Sequence, residues 1–141
     1  MILYLDSSAL LKRYFEEDGS GDVLALWIRA VALATSEVAY AECLASIHRK
    51  GRESGLKSRI VGEILSSFKQ DWASILRVEV SPELEDTIDE LAARHPLRGF
   101  DLIHLSSALT LRERHPEEFL FAAFDERLLA AAQREGLTTF P

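Results

Sequence analysis

Short apolar runs alternate along the chain with longer stretches in which apolar residues recur every three or four positions. The runs at 2–5 and 119–124 contain no polar residue, which is typical of strands covered on both faces in a parallel sheet. A shorter run at 75–80 is closed by Ser81 and Pro82 and predicts a third strand. The pattern therefore predicts a sheet whose strands are widely separated in sequence.

Helical spacing fills most of the sequence between these runs. The helical patterns begin near Val23, Tyr40, Ile60, Leu84, Leu102 and Leu128. Two glycines in GRESG, at 51–55, predict a hairpin between two of these helices. Strands interleaved with helices indicate an α/β domain with a central, mainly parallel sheet, and the absence of a repeat or linker predicts a single domain over 1–141.

Composition narrows the class of protein. With 48% hydrophobic and 28% charged residues, the sequence is typical of an ordered globular protein. Its one cysteine, Cys43, excludes an internal disulfide, and neither a signal peptide nor a membrane-spanning run is apparent, so we expect a cytoplasmic protein with no membrane association. The net charge of -7 repels nucleic acid at long range, so nucleic-acid binding would require a local basic surface or bound cations.

Three aspartates occupy the ends of predicted elements. Asp6 ends the first apolar run, Asp125 follows the run at 119–124, and Asp101 begins the helix in RGFDLIHLSSAL. Ligands of open α/β sheets bind outside the carboxyl ends of the strands, so Asp6 and Asp125 are expected at one edge. Each aspartate taken singly is most simply a helix N-cap, which contributes about 1 kcal/mol.

Glu42 has no such simple explanation, because it lies inside the helix of SEVAYAECLASIHR. Its neighbours three and four positions away are Val38, Ala39, Ala45 and Ser46, none of them cationic. The carboxylate is therefore either held by a distant residue or is a ligand, and both interpretations stay open.

Convergence of the four acids would require a counter-charge. Two like charges 4 Å apart repel by about 4 kcal/mol at an effective dielectric constant of 20, so cations or altered protonation must be present. Oxygen ligands without a His or Cys cluster favour Mg²⁺ or Mn²⁺ over Zn²⁺. Such a metal would activate a water molecule to hydrolyse a phosphodiester.

Four segments carry a resemblance to a known family. LDSSALLKRYFEEDGS, TSEVAYAECLASIHR, LRGFDLIHLSSAL and FAAFDERLLAAA, in this order across essentially the whole chain, resemble PIN-domain ribonucleases, most closely the VapC-type toxins of toxin-antitoxin systems. The resemblance implies a three-layer α/β/α fold and a metal-dependent endoribonuclease that uses Mg²⁺ or Mn²⁺. It assigns catalysis and metal binding to Asp6, Glu42, Asp101 and Asp125, with Ser8 in support.

The resemblance also implies partners and reveals one departure. The expected partners are the RNA substrate, a cognate antitoxin that covers the pocket, and a second copy in a homodimer or in a toxin-antitoxin hetero-oligomer. The family commonly has Thr or Ser two residues before the last acid, where this chain has Ala123. A weakened metal position beside Asp125 is the expected consequence.

Basic residues near the acids are candidates for RNA contact. Lys12, Arg13 and Arg98 are assigned to RNA binding, and pairing with Asp101 is the structural alternative for Arg98. Five cations of the predicted hairpin could contact phosphates, although a solvated tip is the favoured interpretation, and they are Arg49, Lys50, Arg52, Lys57 and Arg59. His104 is interpreted as a hydrogen-bonded packing residue rather than as a general base.

Two other functions compete with the ribonuclease. A PIN fold retained only as a protein-binding module would keep the fold without the metal site. An aspartyl-phosphate phosphatase also places an acid after a buried strand, but it needs a second acid two residues later. That position is Ser8, so the sequence disfavours the phosphatase.

Overall fold

A computed structural model describes residues 1–115 and 117–141 of the chain. The described residues form one sheet of five strands: β1 (Ile2–Leu5), β2 (Ala32–Ser36), β3 (Leu76–Val78), β4 (Phe119–Ala122) and β5 (Thr139–Phe140). The strand order is β3-β2-β1-β4-β5, and every neighbouring pair is parallel. The predicted parallel α/β sheet is thereby confirmed.

Helices cover both faces of the sheet. The helices are α1 (Ser7–Leu11), α2 (Ser20–Arg29), α3 (Ala39–Glu53), α4 (Ser58–Trp72), α5 (Pro82–Arg94), α6 (Gly99–Arg114) and α7 (Glu126–Arg134). Successive β1 side chains point to opposite faces: Ile2 and Tyr4 pack with α5, α6 and α7, whereas Leu3 and Leu5 pack with α1 to α4. The three-layer architecture is thereby confirmed. Within the described ranges, no helix combines the length and apolarity needed to cross a bilayer.

Besides the two-residue strand β5, which the sequence pattern did not predict, the structure corrects the strand predictions in two places. The sequence pattern did not predict β2, whose residues ALATS are small or carry hydroxyls, although the strand pairs with both β1 and β3. The run at 75–80 is not covered on both faces, because β3 is an edge strand and Leu76 is 46% exposed. Position in the sheet, rather than apolar composition, decides both cases.

The predicted helical hairpin is formed by α3 and α4, but its turn lies later than GRESG implied. Gly51 is inside α3, where a Cβ atom would lie 2.8 Å from Cγ2 of Val61. This glycine therefore permits close helix packing. Gly55, with φ +62°, occupies the turn in the left-handed conformation that glycine adopts readily.

Candidate active site

Asp6 is fixed immediately after the buried strand β1. Its Oδ1 accepts hydrogen bonds from the Ala9 amide at 2.9 Å and from Ser8 Oγ at 2.7 Å, so it is the N-cap of α1. The residue is only 5% exposed. Burial raises the pKa of Asp6, even though His104, Ser8 and the Ala9 amide act in the opposite direction. Asp6 is thus both a helix cap and a poorly compensated buried carboxylate.

Ser8 connects Asp6 to the segment that carries Asp125. While its hydroxyl donates to Asp6, its Oγ accepts a hydrogen bond from the Phe124 amide at 3.1 Å. Asp125 caps α7 by accepting from the Leu128 amide at 2.9 Å. Because β1 and β4 are neighbouring parallel strands, the two aspartates lie at the same edge of the sheet.

Glu42 is held by residues remote in sequence. Ser7 Oγ donates to Glu42 Oε1 at 2.6 Å, and His104 Nε2 lies 2.8 Å from the same oxygen. Burial acts to raise the pKa of Glu42, but the contacts with His104 and Ser7 outweigh it and lower the pKa. The distant partner that the sequence left open is therefore His104. Both contacts use Oε1, so Oε2 takes no part in them.

His104 is a buried packing residue, as interpreted from the sequence. It is 1% exposed, and its Nδ1 lies 3.0 Å from the hydroxyl of Tyr4, itself fully buried. The ring therefore connects the core strand β1 to Glu42. Its hydrogen bonds fix the position of that carboxylate.

Arg98 lies across the remaining two acids. Its Nε is 3.5 Å from Asp101 Oδ2, and its Nη2 is 3.9 Å from Asp125 Oδ2. Burial raises the pKa of Asp101, Arg98 opposes this effect, and the charge of Asp125 adds to it. The guanidinium thus offsets part of the repulsion expected between the acids, and the alternative of an Arg98–Asp101 pair is realised.

The four acids line one cavity of about 420 Å³. Ser8, Lys12 and Arg98 line it too, as do Ser7, Glu17, Arg49 and Lys50, which the sequence did not assign to a site. Ser7 adjoins Asp6 in LDSSAL, but a hydroxyl in the first turn of a helix is too common to indicate a site. No pattern in the sequence marks Glu17 as a site residue. Its carboxylate pairs with the ammonium groups of Lys12 at 3.5 Å and Lys50 at 3.2 Å.

Two groups of cations lie elsewhere than expected. Arg49 and Lys50 line the cavity, so the hairpin cations are not all a solvated tip. Arg13 is not among the lining residues. Its Nε lies 3.7 Å from Asp71 Oδ2, and its guanidinium lies 5.6 Å from the centre of the Trp27 ring. The structure therefore gives no support to RNA contact by Arg13.

Ala123 occupies the core rather than the cavity. The residue is fully buried and belongs to the apolar cluster that contains Phe121 and Leu128. It is not among the residues lining the acidic cavity. The methyl group of Ala123 therefore contributes to the core and not to the wall of the acidic cavity.

The donor set fits a hard divalent cation. Carboxylate oxygens share the cavity, and the raised pKa values of Asp6 and Asp101 indicate negative charge that lacks full compensation. Arg98 is the cation that now lies between two of the acids. Among residues 1–115 and 117–141, no three His, Cys, Asp or Glu side chains are already grouped tightly enough to hold an ion. The site is thus suitable in chemistry but not closed around one point.

Comparison with known proteins places the chain in a family. The PIN domain profile matches residues 3–135. The chain belongs to the PIN-domain family. Ribonuclease VapC45 and Ribonuclease VapC49 of Mycobacterium tuberculosis, from strains CDC 1551 / Oshkosh and H37Rv, are each 31% identical to it over 140 residues. Each match covers 99% of this chain and 95% of the relative, which confirms the resemblance to VapC-type PIN proteins.

Solved structures share the PIN fold at low sequence identity. VapBC2 from Rickettsia felis, bound to a DNA fragment from its promoter, matches with a TM-score of 0.66 at 15% identity, over 99% of this chain and 98% of that one. FitAcB from Neisseria gonorrhoeae matches with a TM-score of 0.67 at 14% identity, over 100% of this chain and 97% of that one. The sarcin-ricin loop cleaving toxin VapC20 of M. tuberculosis matches with a TM-score of 0.63 at 16% identity, over 92% of this chain and 94% of that one. At this identity the likeness establishes the fold alone.

Proposed function

We propose that this PIN-domain protein is a metal-dependent endoribonuclease and the toxin of a type II toxin-antitoxin system. The observation that carries the proposal is the convergence of Asp6, Glu42, Asp101 and Asp125 on one cavity at the carboxyl edge of the sheet. The named ribonucleases among its relatives match almost the whole chain, which supports the same activity. These four acids are the proposed metal ligands, with Mg²⁺ or Mn²⁺ as the metal.

The residues of the chain prepare the site for an anionic substrate. The four carboxylates would hold a divalent cation, which would supply Lewis-acid chemistry for water activation and for the charge on the phosphodiester. Asp6 is held ready by the cap and by Ser8, and Glu42 by Ser7 and His104. Because these carboxylates are already ordered, little conformational entropy is lost when they bind a ligand.

Local cations explain how an acidic protein can bind RNA. Lys12, Arg49, Lys50 and Arg98 line the same cavity as the acids. The Lys12 ammonium lies 4.6 Å from the centre of the Phe124 ring, which also lines the cavity. These side chains would neutralise RNA phosphates, whereas the net charge of -7 disfavours binding elsewhere on the surface.

The wider biological setting is part of the proposal. We propose a cognate antitoxin that covers the cavity, a homodimer or toxin-antitoxin hetero-oligomer, a cytoplasmic location, and a single domain over 1–141. Support for the antitoxin comes from the VapBC2 and FitAcB structures, which match this fold along almost the whole chain. Co-purification with the product of a neighbouring short reading frame would test the partner.

Cleavage of RNA by the purified, antitoxin-free protein tests the activity. We expect cleavage with Mg²⁺ or Mn²⁺, its loss in EDTA, and products with 5'-phosphate and 3'-hydroxyl ends. Asp101→Asn should abolish cleavage, whereas Asp89→Asn, an exposed acid on α5, should leave it unchanged. Cleavage that resists EDTA, or that survives in Asp101→Asn, would contradict the proposal.

Calorimetry separates the enzyme from a PIN fold that only binds proteins. If the protein is a metal-dependent ribonuclease, titration with Mn²⁺ should release or absorb heat of binding, and Glu42→Gln should lose that heat. A binding module predicts no Mn²⁺ heat in either protein.

A further inference from the structure

Phe100 is an exposed aromatic residue beside the acidic cavity. Among residues 1–115 and 117–141 it is the one exposed Phe, Tyr or Trp side chain, at 57%. It lies in the first turn of α6, directly before Asp101. The fold does not use this ring in either apolar core. The ring is therefore accessible to a ligand that binds next to Asp101.

The ring forms one wall of a second cavity of about 460 Å³. Glu42, Arg98, Gly99, Asp101 and Ile103 form the rest of the wall. Three of these residues, Glu42, Arg98 and Asp101, also line the acidic cavity. The second cavity thus adjoins the first. Phe100 is therefore within reach of a polymer that extends from the acidic cavity into this second cavity.

We propose that this second cavity is a nucleobase subsite, in which Phe100 stacks on an unpaired base adjacent to the cleaved phosphodiester. The inference rests on the proposed ribonuclease function. Phe100 and Ile103 offer an apolar surface to the base, while the Arg98 guanidinium is placed to contact the adjoining phosphate. Stacking needs a base that is free of its neighbours, so the subsite selects single-stranded or flipped-out nucleotides.

The surroundings of the ring favour RNA over a protein partner. Protein interfaces are depleted in charge at their centre, whereas Phe100 lies between Arg98, 82% exposed at its side chain, and the acid Asp101. The other exposed large apolar residues lie elsewhere in the fold. They are Leu24 and Ile28 on α2, Val31 directly before β2, Leu76 in β3 and Val80 after β3. None of these lines the second cavity. The Phe100 ring, with the charged Arg98 and Asp101 on either side, is suited to bind a nucleobase together with its phosphate.

Abasic substitution in the RNA tests the subsite. The probe is a short single-stranded RNA of mixed sequence that the wild-type protein cleaves, with a ribose lacking its base moved stepwise past the cleaved bond. Phe100→Leu should lower kcat/KM by about 5- to 150-fold, the range expected for one stacked base. One abasic position should cost the wild type a similar factor and cost Phe100→Leu almost nothing.

Matched variants distinguish stacking from misplacement of Asp101. Phe100→Trp should retain cleavage because it keeps a stacking surface, and Ile28→Ala, at an exposed apolar residue outside the cavity, should change nothing. Unchanged Mn²⁺ heat in Phe100→Leu would show an intact metal site. If the abasic site lowers kcat/KM by the same factor in Phe100→Leu as in the wild type, the two losses are independent, and the subsite is overturned.

Two further results separate the possible failures. Wild-type cleavage with an equally active Phe100→Leu refutes the subsite and leaves the ribonuclease intact, whereas no wild-type cleavage refutes the ribonuclease itself. A shift of Phe100→Leu from dimer to monomer in sedimentation, with unchanged RNA cleavage, would assign the ring to a contact between copies and overturn the inference.

Discussion

Replacing Asp6 with Asn is expected to stabilise the metal-free protein, whereas replacing Glu42 with Gln is expected to destabilise it. Each change removes one negative charge and nearly preserves the shape of the side chain. The two carboxylates line the same cavity, but their pKa values are displaced in opposite directions. Their effects on the free energy of unfolding should therefore differ in sign.

The buried charge of Asp6 opposes folding near neutral pH. Because burial raises the folded-state pKa above 3.8, the charged form costs stability above that raised pKa, and the cost is relieved as the pH falls through it. Asn keeps an oxygen that accepts from the Ala9 amide, so the α1 cap survives. Asp6→Ala loses the cap and should be about 1 kcal/mol less stable than Asp6→Asn.

The charge of Glu42 favours folding instead. Hydrogen bonds to charged groups contribute roughly 1.5–3 kcal/mol and neutral ones roughly 0.5–1.5, so Glu42→Gln should cost about 1 kcal/mol through its contacts with Ser7 and His104. Since its folded-state pKa is lowered from 4.5, this contribution is present above pH 4.5 and is lost as the pH falls through the lowered value.

Urea unfolding followed by circular dichroism measures both effects. The metal-free comparison is made in EDTA at neutral pH. Mn²⁺ at a hundredfold excess over its Kd should then stabilise the wild type by about 2.7 kcal/mol, and both amide variants should lose this gain. Equal signs for the two variants in EDTA would refute the assignment of opposite electrostatic environments to Asp6 and Glu42.

Three further predictions concern the surroundings of the acids. His104→Ala should lower the free energy of unfolding by about 2 kcal/mol in urea titrations, because it leaves the polar groups of Tyr4 and Glu42 without this partner. It should also reduce RNA cleavage. Unchanged stability would contradict the bridging role of His104. Lys12→Ala should reduce the slope of log RNA affinity against log salt by about 1, and Arg13→Ala, held outside the cavity, should leave the slope unchanged. Gly19→Ala should cost about 1–3 kcal/mol in thermal unfolding because φ is +89° and a Cβ atom would lie 2.7 Å from the Phe124 ring, and a wild-type Tm would argue against this geometry.

Much of the site was predictable because strand ends are visible in the sequence. Asp6 and Asp125 follow uninterrupted apolar runs, and parallel strands deliver such residues to one edge. The place of Asp101 at the start of a helix indicated only a cap, and the resemblance of LRGFDLIHLSSAL to PIN-domain ribonucleases made it a candidate ligand. The strand before Glu42 was not predicted, because ALATS becomes a strand through its pairing with β1 and β3.

The sequence by itself determined the α/β class, because this follows from local periodicity. It offered the four acids as candidate ligands of an oxygen-binding metal through their positions in the chain and through the resemblance to PIN-domain ribonucleases. Only the tertiary structure decided what surrounds each acid. His104 reaches Glu42 across 62 positions, Arg98 lies across Asp101 and Asp125, and Phe100 remains exposed at the cavity wall. The contacts of His104 with Glu42 and of Arg98 with Asp125 join residues that are distant in sequence, and no local pattern specifies which side chains meet when separate elements pack together.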